Sequence, residues 1–255
     1  MPMLPPDRRP CFREAVERFL PPGRALLLAV AAPLEAKAVL EAFGADPLQG
    51  QTSWKPLALH DRYDLVVTGI GKVNAAGAIL RVLDPLRHAA VLSTGVCGSL
   101  PGPDGTHAPL GAVVLGTASV YADEGLRTPD GFLTCDAMGF PLGRFSDGAV
   151  LPDARLAQAL APLADVSGPI ATVSTCSGTG AGAEDVAQRT GAVAEAMEGA
   201  AIGHALSRLA ETGGAGGSAA FAELRVVSNT TGDRGGQAWD LRGALGRLRE
   251  LLGPR

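Results

Sequence analysis

Ala192–Ala201 reads AVAEAMEGAA, and its interpretation decides the fold. It opens as a short apolar run and ends in Met197-Glu198-Gly199, and a helix of small residues is expected at once over Ala200–Glu211. That pattern is a buried strand feeding a helix. Open α/β sheets bind ligands beyond the carboxyl ends of their strands. The stretch therefore delivers one carboxylate, Glu198, to a strand end. A helix N-terminus favours the ionised form of such a group. An ionised carboxylate accepts several hydrogen bonds, which suits a vicinal diol such as the 2′,3′ pair of a ribose. A capping or first-turn Glu satisfies the same pattern without a ligand, and the stretch alone leaves both readings open.

Composition bounds the rest. The chain has 255 residues, enough for one large α/β domain with a full core. Apolar residues make up 46%, which excludes a largely disordered chain. A net charge of −4 with no basic stripe excludes a nucleic-acid partner. Cys11, Cys97, Cys135 and Cys176 are scattered, with no CxxC; they read as free thiols in a reducing cytoplasm. His60, His88, His107 and His204 show no paired metal spacing, so neither metal nor cofactor is expected. No apolar run is long enough to span a membrane. Arg24–Ala36, RALLLAVAAPLEA, mimics a signal peptide. It starts late, however, and the units downstream need a first strand, so Ala25–Ala31 is read as that strand. Met1–Gly23 is proline-rich and charged and reads as a loosely ordered extension, with the folded domain over 24–255.

Further along, a helix pattern follows Pro33 and places Glu35 at the first strand-to-helix junction, where a first-turn Glu is also favoured by the helix dipole alone. Gln51–Leu59 is a weak strand and Leu65–Thr68 a better one. The latter runs into Gly69-Ile70-Gly71-Lys72-Val73-Asn74, whose glycines permit a tight turn before a helix over Val73–Leu83. This falls short of a dinucleotide fingerprint. Ala89–Thr94 is an apolar strand ending in Gly95-Val96-Cys97-Gly98-Ser99, where Gly95 and Gly98 let backbone approach a ligand closely or simply turn the chain. Ala112–Tyr121 reads as a strand, Asp123–Gly148 as an irregular excursion, and Asp153–Leu163 as a helix. Pro169–Thr175 is a β-branched strand, followed by Ser177-Gly178-Thr179-Gly180-Ala181-Gly182. That loop lacks the GK[ST] of a P-loop and fits a wall around a base better. Glu184–Thr190 is a short helix and Gly213–Gly217 a connector. Ala219–Ser228 is the last strand, ending in Asn229, and Trp239–Leu252 is a closing amphipathic helix.

Glu35, Gly98, Glu198 and Asn229 thus stand at strand ends. With Gly69-Ile70-Gly71-Lys72-Val73, Thr94-Gly95, Met197-Glu198-Gly199-Ala200-Ala201 and Ser228-Asn229, this order resembles the nucleoside phosphorylase and nucleosidase superfamily from Ala25 to Trp239. Glu195-Ala196-Met197-Glu198-Gly199, and Phe221-Ala222-Glu223-Leu224-Arg225 leading to Ser228-Asn229, Gly232, Arg234 and Trp239, look most like its futalosine hydrolase branch, which serves menaquinone biosynthesis.

The resemblance implies a single α/β domain with a central mixed sheet flanked by helices, and hydrolysis of the N-glycosidic bond of a small-molecule nucleoside. Glu35 would activate the attacking water. Met197 and Glu198 would hold the ribose, with Gly71, Val96 and Cys97 also on the substrate side. Gly98, Ala181 and Gly182 would border the base. Asn229 fills the position that a catalytic Asp occupies in the adenine-specific methylthioadenosine/adenosylhomocysteine nucleosidases. An Asn cannot act as a general acid, but its amide can donate to N7 and O6 of a 6-oxopurine, so hypoxanthine is the expected base. Asp233 is a substitute acid or a loop cap. Phosphorylases of the superfamily place an Arg-containing loop after the first strand; Ala32-Pro33-Leu34-Glu35 is acidic there, which suits water and repels phosphate. An adenine-type or aminofutalosine nucleosidase and a non-catalytic nucleoside-binding protein are the alternatives. Arg127 and Arg234 are candidates for the 5′ substituent by charge alone. Family members are often dimers or larger, so a homo-oligomer is implied.

Overall fold

Six consecutive apolar residues form β1 (Ala25–Val30), and all six are buried. A strand hidden on both faces belongs to a parallel sheet sandwiched between helices. The computed structural model describes residues 10–46, 53–212 and 219–254. In it, β1 lies parallel to β3 (Tyr63–Val67) and to β4 (His88–Ser99). An antiparallel β2 (Leu57–His60) edges β3.

On the other side of β4 runs β11 (Ala220–Thr230), also parallel. Next come β5 (Val113–Tyr121), antiparallel to β11, then β9 (Val166–Thr172) and β10 (Ala194–Ala196). The short β8 (Ala149–Val150) adds to β5. The strand β10 pairs with β9 on one edge and antiparallel with β4 on the other. Five strands of this mixed sheet therefore close into a ring, while the β1 side stays open.

Helices cover both faces. On one lie α1 (Phe12–Phe19), α2 (Pro33–Ala42), α4 (Ala154–Leu160) and α7 (Leu241–Leu252), around a core of Leu26, Leu28, Leu92, Leu224 and Val226. On the other lie α3 (Lys72–Val82) and α6 (Gly199–Glu211), over Leu27, Val66, Val91 and Phe221. Odd and even residues of each strand serve opposite faces, as a pleated strand requires. The remaining elements are α5 (Gly180–Thr190), a 3₁₀ turn at Ala161–Leu163, and a hairpin of β6 (Gly125–Thr128) and β7 (Gly131–Thr134).

Several expectations are corrected. Residues 1–23 are not loose throughout: α1 buries Phe12, Ala15 and Val16, a stripe at helical spacing, and packs on α4 and α7. Residues 1–9 lie outside the described residues, as does the Gly213–Gly217 connector. Glu14 reaches back to the Cys11 amide at 3.2 Å and starts α1. The Asp123–Gly148 excursion contains the β6–β7 hairpin. The strand expected to stop at Thr94 continues as β4 to Ser99, because β11 and β10 supply ladder partners for its glycine-rich end. The loop after β9 is shorter than expected, because α5 starts at Gly180, where Thr179 caps the Gly182 amide at 3.1 Å. Among the described residues no helix is long and apolar enough to cross a membrane.

Candidate active site

The carboxyl ends of β1, β4, β10 and β11 converge on one cluster. Glu35, in the first turn of α2, is only 4% exposed. Its Oε2 accepts from the amides of Ala31 and Ala32, each at 2.9 Å, and its Oε1 from Val96 at 2.8 Å. Burial raises its pKa above the usual Glu value, against the lowering pull of Arg225 and the Val96 hydrogen bond. Gly95 makes this possible. Its φ is +139°, and a Cβ there would sit 2.1 Å from Glu35 Oε1, so no side chain fits.

Glu198 occupies the N-cap position of α6, but its side chain caps none of that helix's amides. It reaches across instead: Oε1 accepts from the Gly71 amide at 3.1 Å, and Oε2 from Arg225 Nη2 at 3.0 Å and from the Met197 amide at 3.3 Å. The capping alternative for Glu198 is thereby excluded. Gly71 has φ +94°, the left-handed geometry that turns its N–H toward Glu198.

Arg225 joins these parts. It is fully buried on β11 and donates through Nε to Glu223 at 2.9 Å and through Nη2 to Ser93 Oγ at 2.9 Å, besides Glu198. Burial opposes its charge, yet Glu223, Glu198 and Glu35 around it outweigh that and raise its pKa. Glu223 also accepts from Ser119 Oγ, and a Cβ on Gly199 would fall 1.9 Å from its Oε2. Burial raises the Glu223 pKa, with Arg225 pulling it down. Three carboxylates thus surround one guanidinium, an arrangement that holds its geometry only while every partner is present.

The cluster continues along β4 to Gly98. Asn229 of β11 sits beside it, and its Oδ1 accepts from Ser228 Oγ at 3.0 Å while Nδ2 donates to the Thr230 carbonyl at 3.0 Å. One amide N–H is left over. Cys97 packs in an apolar cluster with Ala112, Val114, Ile170 and Val227, and burial pushes its thiol up to about 12.

Ala181 and Gly182 both lie in the first turn of α5, and the Gly182 amide is engaged by Thr179. The neighbouring Gly180 amide donates to Asp233 Oδ1 at 2.8 Å, so Asp233 is a cap joining two loops. Ser177, ahead of α5, is held by Glu195 through its amide and its hydroxyl. Arg127 pairs with Asp185 at 3.5 Å and Arg234 stacks 4.5 Å over Trp239. Three buried charged residues, Glu195, Glu223 and Arg225, carry no role in the sequence reading. Their signal was present, since charges at alternate positions of an apolar strand, Glu223 and Arg225, must pair inside the core. Among the described residues no group of three or more His, Cys, Asp or Glu could hold a metal ion.

This fold and cluster define a class. The sequence model of the phosphorylase superfamily matches residues 60–249. The fold recurs in the 5′-methylthioadenosine/S-adenosylhomocysteine nucleosidase of Neisseria meningitidis in complex with methylthio-immucillin-A, with a TM-score of 0.66, 21% identity and coverage of 90% of this chain and 96% of that one. A futalosine hydrolase mutant of Helicobacter pylori gives a TM-score of 0.68 at 19% identity, with the same coverage. The chain is a member of the phosphorylase superfamily.

Within it, two relatives are closer in sequence. The futalosine hydrolase of Acidothermus cellulolyticus is 37% identical over 229 residues, 88% of this chain and 86% of that protein. That of Streptomyces coelicolor is 35% identical over 241 residues, 89% and 93% respectively. The chain belongs to the futalosine hydrolase family.

Proposed function

We propose that the chain hydrolyses the N-glycosidic bond of futalosine, releasing hypoxanthine and dehypoxanthine futalosine for menaquinone biosynthesis. Family membership makes it an N-glycosidic hydrolase. In our reading Glu35 takes a proton from the water that attacks C1′. The C1′–N9 bond breaks, and its electron pair goes to the base. Asn229 donates its remaining N–H toward N7 and O6, where negative charge builds. Glu198, with Met197 beside it, holds the ribose hydroxyls, and Gly71, Val96 and Gly98 offer close backbone.

One observation carries the choice of water over phosphate. The Ala31 and Ala32 amides lie in the turn between β1 and α2, beside the helix N-terminus, a place that favours an anion. Both donate to Glu35, so an anion already fills that position. The choice of hypoxanthine is supported by the Asn229 amide: Nδ2 keeps one N–H beyond its bond to the Thr230 carbonyl, a donor for the base. Homo-oligomeric assembly is part of this reading, supported by exposed Leu34, Ile70 and Val73 at the starts of α2 and α3, apolar surface of the kind a second copy covers. A cytoplasmic location fits four free thiols.

Chromatography of futalosine, aminofutalosine, inosine and methylthioadenosine after incubation with the protein tests this. The expected result is hypoxanthine from futalosine at a rate independent of phosphate, with a free sugar product. A sugar 1-phosphate, or adenine from methylthioadenosine as the fastest reaction, would overturn it.

A further inference from the structure

Glu195 is buried at 5% exposure and has no part in the mechanism above. Its position in the ladder is informative. Gly98 of β4 is in register with Glu195 of β10 on one side and with Asn229 of β11 on the other. Residues in register on adjacent strands present their side chains to the same face. The middle of this row has no side chain. A Cβ placed on Gly98 would lie 3.2 Å from Asn229 Nδ2, 3.5 Å from Glu195 Cγ and 3.0 Å from Thr231 Cγ2. Gly98 therefore separates the Asn229 amide on one side from the Glu195 side chain on the other, with the Thr231 methyl packed beside it.

We propose that Glu195 is a base-reading residue: its carboxylate accepts the N1–H of a 6-oxopurine while Asn229 donates to O6 and N7 across Gly98. This rests on the nucleosidase reading and adds to it the group that recognises N1.

The carboxylate has capacity for this bond. Ser177 supplies both of its partners, the amide to Oε1 at 2.9 Å and the hydroxyl to Oε2 at 2.6 Å. A carboxylate has about four acceptor positions, so roughly half remain. Neither Ser177 group is cationic, and the nearby Arg225 is engaged by Glu198 and Glu223. A buried carboxylate without a cation gains from any further N–H that reaches it. Hypoxanthine offers one at N1. Adenine presents a lone pair at N1, which the carboxylate repels. The two side chains thus exclude the same base independently, Asn229 through the 6-substituent and Glu195 through N1. The raised Glu195 pKa, caused by burial ahead of the Ser177 hydrogen bonds, agrees with a group that accepts an N–H strongly.

Pinning the Ser177 loop is the competing role for Glu195, and three measurements separate the two. In the wild type, hypoxanthine should inhibit futalosine hydrolysis at least tenfold more tightly than 1-methylhypoxanthine, which has no N1–H. Glu195→Gln keeps an acceptor and a donor for Ser177, so its melting temperature should stay near that of the wild type. Its hypoxanthine-over-adenine ratio of inhibition constants should shrink at least tenfold, because an amide can turn its NH₂ to N1 of adenine. Ser177→Ala should leave that ratio within about threefold. Equal inhibition of the wild type by hypoxanthine and 1-methylhypoxanthine would overturn the proposal even if Glu195→Gln does not fold. So would an unchanged ratio in folded Glu195→Gln, or a ratio that collapses as far in Ser177→Ala. A wild type that releases hypoxanthine and fails these tests sinks this proposal alone. One that releases no base from futalosine sinks the parent reading with it.

Discussion

Glu35 has two properties that a general base needs. Its three backbone hydrogen bonds fix its position, and burial raises its affinity for a proton. Under the mechanism proposed above, Glu35→Gln keeps the shape and removes the base, so kcat should fall by roughly 10²–10⁴-fold while nucleoside binding persists. Turnover within a few-fold of wild type would exclude Glu35. The base must be ionised, and its pKa is raised, so kcat/KM should decline as pH falls through a value above the ordinary 4.5. A profile flat down to pH 4.5 would contradict this. Asn229 makes a separate prediction about the leaving group. Asn229→Asp replaces a donor with an acceptor at the position proposed for O6, so the futalosine-over-aminofutalosine ratio of kcat/KM should drop by about tenfold or more, within the ~10⁴ that such polar mismatches reach. An unchanged ratio would mean that Asn229 does not read the base. Both residues were legible from their places at strand ends. Of Arg225 only the pairing with Glu223, two residues away, was legible; its bonds to Ser93 and Glu198, and the place of Glu195 beside Gly98, come from strands far apart in sequence that only the closed sheet brings together.

At the scale of elements, the informative difference is in β4. Its glycine-rich end, Gly95–Ser99, resembles a turn in sequence, since glycine weakens strands. Its ladder partners in β11 and β10 are non-local, and local propensity carries no trace of them. Strands of continuous apolar residues, such as β1, and helices with caps, such as α4 with Asp153, were legible for the opposite reason: their signals are local. The glycines of β4 make room for carboxylates. Gly95→Ala would place a Cβ 2.1 Å from Glu35 Oε1 at a φ of +139°. Strain of this kind costs about 1–3 kcal/mol, and Glu35 must leave its position over Val96. The expected outcome is a large loss of kcat with a modest fall in melting temperature. Full activity in this variant would show that Glu35 works from another position.

At the scale of the whole molecule, the N-terminal helix closes the fold. Prolines and charges made residues 1–23 look dispensable, and the short apolar stripe of α1 is weak evidence by itself. Its partners decide the matter. Phe12 is fully buried with its ring 6.3 Å from that of Tyr63, which in turn lies 5.1 Å from Phe43. Val16 and Leu20 are buried beside it, and α4 and α7 pack on the helix. Removing residues 1–20 would expose this ring cluster and the faces of α4 and α7 that α1 covers, at the Ala42 end of α2 rather than the Glu35 end. Each large apolar side chain contributes about 1.5–3 kcal/mol on burial, and Phe12, Val16 and Leu20 together approach the whole 5–15 kcal/mol margin of a typical domain. The truncated chain should therefore melt more than about 10 °C lower or fail to fold. Phe12→Ala alone should cost about 3–5 kcal/mol. Where the Phe12→Ala protein does fold, its KM and kcat at low temperature should match the wild type, because the helix supports the core and not the site. Thermal melts of the three proteins decide it: a truncated chain within 2 °C of wild type would mean that α1 is an appendage after all.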